Sequence, residues 1–219
     1  MAVIHHTVLK PTKLELLTAW LPSRAWYSGG AEGPGLVRAG GFRLDDPEGE
    51  VGIEFIVVTD TSGDRPATHL VPLTYRGAPL DGAEHALVGT MEHGVLGQRW
   101  VYDGCHDPVL AAQLLALIQG TAEAQAQSVS DTPDRDVARS YTGDGAVRTD
   151  VGGSVTDDRE GTDIRLAGGA TLRVRRVLRP APAEELPQGA VGHVTTAWDA
   201  PDGTRVRGLC AVLYDGPRA

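Results

Sequence analysis

Val51-Gly52-Ile53-Glu54-Phe55-Ile56-Val57-Val58-Thr59 is followed, after Thr61-Ser62-Gly63-Asp64-Arg65-Pro66, by Thr68-His69-Leu70-Val71-Pro72-Leu73-Thr74-Tyr75. Two runs rich in β-branched and aromatic residues enclose a cluster of turn formers, which reads as two strands and their connection. Upstream, Val37 to Leu44 precedes the turn material Asp45-Asp46-Pro47-Glu48-Gly49 and supplies a third strand, so the region predicts an antiparallel meander. Further out, Leu14, Leu17 and Leu21 share a helical face with Trp20 nearby. Pro11 can begin that helix and Pro22 stops it, because proline removes a donor and crowds the preceding turn. One face of the sheet is expected to pack on this helix. Met1 to Leu9 suits an opening strand, which would send adjacent His5 and His6 to opposite faces, a structural placement and not a metal tract.

Downstream, Ala86 to His93 and Gln98 to Asp103 flank a turn at Gly94 to Gly97 and read as a hairpin. Asp107-Pro108 then places a carboxylate acceptor at a helix N-cap and proline at the first helical position. Val109, Leu110, Gln113, Leu114, Leu117 and Ile118 follow with helical spacing, and Gly120 stands where a left-handed C-cap is expected. From Thr121 to Arg139 the composition shifts to Ala, Gln, Ser, Asp and Pro. Beyond lie short strand candidates: Ala146 to Val151, Val155 to Asp158, Thr162 to Leu166, Thr171 to Leu178, Val191 to Trp198 and Thr204 to Leu213. Gly168-Gly169 and Asp202-Gly203 read as two-residue hairpin turns. The expectation is an α+β domain over 1–125, an antiparallel sheet with packed helices, then a linker over 126–144 and a small β-rich domain over 145–219.

The 219-residue chain carries a formal charge of −9, with 29 acidic against 20 basic side chains, which offers no basic surface for a phosphate backbone and argues against nucleic acid as a partner. No cationic start leads into a long apolar run, and no segment approaches about 18 uninterrupted apolar residues, so a cytoplasmic protein without membrane association is expected. Cys105 and Cys210 lack the close spacing of a zinc pair or a redox dithiol.

The densest polar cluster is Glu92-His93 with Asp103-Gly104-Cys105-His106-Asp107. A hairpin that brought a thiol, two imidazoles and carboxylates together could bind a divalent metal or activate Cys105. The plainer alternative makes Asp107 an N-cap, Cys105 a small buried group and the histidines rim residues. Trp20, Trp26, Tyr27, Tyr75, Trp100 and Tyr102 could likewise form a sugar-stacking platform or belong to the core. Arg24 and Arg76 either pair with acidic groups or present an anion site. Gly29-Gly30 with Gly33 and Gly35 lacks the Lys-Ser/Thr of a phosphate cradle, reads as a mobile loop, and opens no predicted helix. Ser154 beside Gly152-Gly153 breaks the nucleophile-elbow pattern at Thr156.

Trp20-Leu21-Pro22-Ser23-Arg24-Ala25-Trp26-Tyr27-Ser28-Gly29-Gly30, together with Leu70-Val71-Pro72-Leu73-Thr74-Tyr75-Arg76, resembles the N-terminal cap of actinobacterial maltokinases and of trehalose synthase/maltokinase fusions. Those enzymes phosphorylate maltose with ATP; their caps run Trp-Leu-Pro, an Arg-Trp-Phe/Tyr cluster, Gly-Lys-Gly and a later strand ending Val-Pro-Leu. The Lys between the glycines is missing here. The resemblance extends over roughly Leu14 to Ile118 and weakens from Val151 onward, where the family continues into a kinase N-lobe. It sets Arg173, in Leu172-Arg173-Val174-Arg175-Arg176-Val177-Leu178, where the ATP-phosphate lysine would stand, and arginine is not an equivalent phosphate ligand. The prolines of Arg179-Pro180-Ala181-Pro182 leave little room for the helix that normally follows, and neither a His-x-Asp catalytic loop nor an Asp-Phe metal motif is present. The resemblance therefore implies a cap-like protein without kinase activity or cofactor, resembling a degenerate N-lobe in its second half. It would act by binding carbohydrate-metabolism enzymes or an α-glucan or sugar, through Arg24, Trp26, Arg76 and Trp100. Two alternatives stand beside it: an enzyme of unrelated chemistry using Glu92, His93, Asp103, Cys105 and His106, and a pseudokinase-like nucleotide sensor.

Overall fold

A computed structural model describes residues 9–30, 32–129, 131–143, 145, 147, 153–181 and 186–216. The opening strand expected up to Leu9, with His5 and His6, and the strand expected at Ala146 to Val151 lie outside these residues apart from Leu9 and Val147. In chain order the elements are β1 (Leu9–Lys10), α1 (Lys13–Trp20), β2 (Leu36–Leu44), β3 (Gly52–Asp60), β4 (Ala67–Arg76), β5 (Leu87–His93), β6 (Gly97–Asp103) and α2 (Pro108–Gln119). There follow β7 (Gln125–Ala126), β8 (Ala138–Tyr141), β9 (Val155–Asp157), β10 (Gly161–Arg165), β11 (Thr171–Arg175), β12 (Val177–Leu178), β13 (Ala190–Asp199) and β14 (Arg205–Tyr214). This is a mixed α+β fold, with a large antiparallel sheet and few short helices.

The capping chemistry departs from expectation at α1 and follows it at α2. Helix α1 begins at Lys13, two residues later than Pro11 suggests: Thr12 is the N-cap, and Thr12 and Glu15 form a reciprocal capping box. At α2 the Asp107 carboxylate accepts from the Val109 amide at 3.0 Å, Pro108 opens the helix, and Gly120 closes it at φ 84°. Both glycine turns in the second half are three-residue loops, not two. Ala200 and Thr204 close around Pro201-Asp202-Gly203, and Leu166 and Ala170 around Ala167-Gly168-Gly169, with the last glycine of each at positive φ.

Strands run in the order β1-β5-β6-β4-β3-β2-β13-β14-β11-β10-β9. Two short pairings then tie this path back on itself. Strand β12, one residue beyond β11, pairs with β4 through Val177 opposite His69 and Leu178 opposite Thr68, while β13 meets β2 at Trp198 opposite Gly40. The ladder β2–β3–β4–β12/β11–β14–β13 thus forms a closed, barrel-like ring built from both halves of the chain. Within the ladder, β2 has room only for glycine at one position. Gly41 has φ 132°, and a Cβ there would lie 2.1 Å from the Phe55 carbonyl oxygen across the ladder. The segment expected as a linker contributes to this architecture, since β7 pairs with β2 and β8 with β13.

Strand β3 is buried on both faces and separates two cores by its period of two. Phe55 and Val57 join Phe42 and Leu70 in the larger cluster, with Leu110, Leu114 and Ile118 of α2 and with Leu172, Val174, Trp198 and Leu213 from the second half. Ile56 and Val58 face the other way, against Leu17, Trp20, Leu21 and Trp26 around α1 and against Val71, Leu73, Met91 and Val101.

Candidate functional site

The most concentrated buried chemistry lies at the seam between the halves, and its centre is Arg176. This residue occupies the single-residue break between β11 and β12, and its side chain is fully buried. Its Nη2 donates to both oxygens of Asp103 at 2.6 and 2.7 Å, and its Nε donates to Thr162 Oγ1 at 2.7 Å. The guanidinium carbon lies 4.9 Å from the centroid of Trp26. Burial works against the Arg176 charge, but the Asp103 carboxylate more than offsets it and the cation is held well above the ordinary arginine range. Asp103 closes β6 and also accepts from the Cys105 amide, so one ion pair joins the end of that strand, the Trp26 segment, β10 and β12.

Next to this pair sits His69, fully buried on β4, with ring centroids 5.7 Å from Trp26 and 5.6 Å from Tyr27. Burial lowers its pKa, against the pull of the Arg176 backbone and the Asp60 carboxylate. Among the described residues, neither ring nitrogen of His69, nor Trp26 Nε1, nor Arg176 Nη1 has a hydrogen-bond partner. A second network fixes the glycine-rich segment that the sequence suggests is mobile. Asp60 accepts from the Tyr27 hydroxyl at 2.6 Å, the Gly35 amide at 2.8 Å and the Ser62 amide at 2.9 Å, and Ser62 Oγ accepts from the Gly30 amide. Burial opposes the Asp60 charge, and the Tyr27 hydroxyl with the Ser62 and Gly35 donors overcomes it, so the carboxyl titrates below its usual range. Burial and the same bond to Asp60 push the Tyr27 hydroxyl up to about 12.

The four residues expected to meet a ligand differ in how far the fold engages them: Trp26 and Arg76 are held inside it, and Arg24 and Trp100 stay partly exposed. Trp26 is a core residue, 1 % exposed, in edge contact with Trp20 at 5.9 Å. Arg24 lies over the Trp20 ring at 4.8 Å and donates to Ser23 Oγ, so it covers that aromatic face. Arg76 makes a bidentate pair with buried Asp107, both contacts at 2.7 Å, fastening the end of β4 to the start of α2. Trp100 packs beside a small cluster of Ala83, Ala86 and Tyr102.

The polar cluster is divided by the hairpin that was expected to assemble it. His93 pairs with Gly97 at the tip, whereas Asp103 lies six residues back along β6, about 20 Å away at strand rise. Glu92 and His93 are therefore remote from Asp103, Cys105 and His106. Cys105 is 1 % exposed, and burial raises its thiol far above the thiolate range, so it is not an activated nucleophile; Cys210 is equally buried, its thiol pushed up to about 12. Both cysteines are free. Arg173, which the resemblance sets in place of the phosphate lysine, is 2 % exposed and donates to Asp158 at 2.7 Å and Asp163 at 2.8 Å. No group of three or more metal-ligating side chains occurs among the described residues.

These positions coincide with a family signal. Residues 20–107 match the maltokinase N-terminal cap domain. A maltokinase cap-like module is therefore present over that part of the 219-residue chain, from the end of α1 through β2–β6 to the N-cap of α2. A search of curated proteins finds no match to the chain. Arg176 lies outside the matched residues but is bonded to Asp103 and stacked on Trp26 within them, so the cap-like module is completed by a side chain from the second half. Among the described residues no helix is long and apolar enough to cross a membrane.

Sequence reasoning passed over Arg176, His69, Asp60 and Thr162. One signal was available for the first of them. Leu172, Val174 and Leu178 recur with period two, and Arg176 stands at the same phase, so an extended chain here turns that charge inward.

Proposed function

We propose that this chain is a non-catalytic binding or regulatory module in carbohydrate metabolism, working on maltose-, trehalose- or α-glucan-handling enzymes or on the sugar itself. The single observation supporting this is that the groups able to do chemistry are committed to holding the fold. Asp103 is taken by Arg176, Asp107 by Arg76, Asp158 and Asp163 by Arg173, and Cys105 is sealed in the core. A phosphoryl-transfer site needs a free base and free metal ligands around the γ-phosphate. A surface used for recognition needs neither.

The test is affinity capture from native lysate under gentle conditions, with the co-purifying proteins identified by mass spectrometry, alongside titration with maltose and a linear α-glucan. Recovery of carbohydrate-metabolism enzymes in stoichiometric amounts, or saturable sugar binding, is the expected result. Bait alone, with no heat of binding from either sugar, would remove this reading.

A further inference from the structure

Across the base of the β5–β6 hairpin two imidazoles meet. His85 Nε2 and His106 Nδ1 are 3.1 Å apart, and the rings are nearly perpendicular at 85°. They belong to 3-10 turns at Glu84–Ala86 and Gly104–His106, which enter and leave the hairpin. The pairing of Leu87 with Tyr102 fixes their separation. Each neutral imidazole carries one N–H and one lone pair, so this contact is maintained by one proton between the facing nitrogens. The same lone pairs are good ligands for zinc-class metals. With metal–nitrogen bonds of about 2.0–2.1 Å, a 3.1 Å separation corresponds to an angle of about 98° at the metal, between the octahedral value of about 90° and the tetrahedral value of about 109°.

The geometry suits a ligating pair: the ring centroids are 4.7 Å apart, closer than a straight N–H···N contact at 3.1 Å would place them, so the facing nitrogens converge toward a point off the line joining them. His85 is exposed, which leaves one side of the pair open to solvent. We propose that His85 and His106 form a binding site for a divalent transition metal of the zinc class, with water completing its coordination; the ring that donated in the contact carries its proton on its outer nitrogen instead, so both facing nitrogens present lone pairs and the ion staples the two turns together. The site lies beside the Asp103–Arg176 pair and is independent of what the module recognises.

The test uses the full chain without an affinity tag and with His5 and His6 changed to Ala, so that the adjacent N-terminal histidines contribute no metal binding. Calorimetric titration with zinc chloride at neutral pH is expected to give a one-site isotherm, accompanied by an upward shift in the thermal midpoint. His85→Ala and His106→Ala each lose that isotherm, while His93→Ala at the hairpin tip keeps it. Because His85 is exposed, its variant remains folded if His106→Ala does not. Zinc is also expected to shift the ring resonances of His85 and His106 selectively in NMR spectra. No heat of binding at millimolar zinc, or an isotherm that survives His85→Ala, would overturn the proposal.

Discussion

Replacing Arg176 with Met lowers the unfolding free energy by about 3–5 kcal/mol, because truncating one member of a buried ion pair leaves the other charge uncompensated. In this chain the stranded group is Asp103, 1 % exposed, which among the described residues would keep only the Cys105 amide as a donor. The loss extends past the pair itself. Thr162 loses the donor at 2.7 Å, and the Trp26 ring loses the cation stacked on it. Urea denaturation followed by tryptophan fluorescence measures the effect. Asp103→Leu in the Arg176→Met background is expected to recover part of the loss, since an apolar pair of similar volume removes the desolvation cost of both ions. The shared ring and shared core further predict one cooperative transition for the whole chain, not separate transitions for 1–125 and 145–219.

Stability falls as pH is lowered through the histidine range, and His69→Phe reduces that fall. The folded-state pKa of His69 is depressed relative to an unfolded value near 6.5. Between those two values the unfolded chain binds more protons than the folded one, so stability rises with pH there; the loss begins as pH drops through the unfolded value and ends below the folded one. Each histidine contributes at most about 1.4 kcal/mol per pH unit. His106 and His193 are shifted in the same direction and add to the slope. Asp60 and Asp158, held low by Tyr27 and Arg173 respectively, add a separate loss only at more acidic pH, below about 4. His69 differs from the other two histidines in where its charge would go: between Trp26 and Tyr27, beside Arg176, at the β4–β12 closure. Phenylalanine fills the same space without unpartnered ring nitrogens. Urea midpoints across the acid range should be flatter in His69→Phe than in the parent and equal or higher at neutral pH. An unchanged slope would place the proton uptake elsewhere.

The meander was legible because β3 and β4 are rich in β-branched and aromatic residues and unambiguous turn formers separate β2, β3 and β4, and α2 because Asp107, Pro108 and Gly120 each stand at the position that their chemistry favours. The α1 capping box was equally local, Thr12 with Glu15, yet Pro11 drew attention away from it. What could not be read was the closure. It depends on a single pairing of Trp198 with Gly40 and a two-residue strand at Val177–Leu178, and neither leaves a periodic pattern in the sequence. The same long-range contacts decide the site. Arg76 and Trp26 look available in a linear reading and are consumed by Asp107 and Arg176, residues 31 and 150 positions away in sequence, respectively. Glu92 and His93 look adjacent to Asp103 until the hairpin register carries them to opposite ends.

On the proposed function, the polar side chains of this module serve structure and recognition and not phosphoryl transfer. Incubating the purified, folded chain with labelled ATP, magnesium and maltose, and following label in the sugar over time, tests that most directly. Transfer indistinguishable from a protein-free blank is the predicted result; metal-dependent labelling that grows linearly with protein concentration would contradict it.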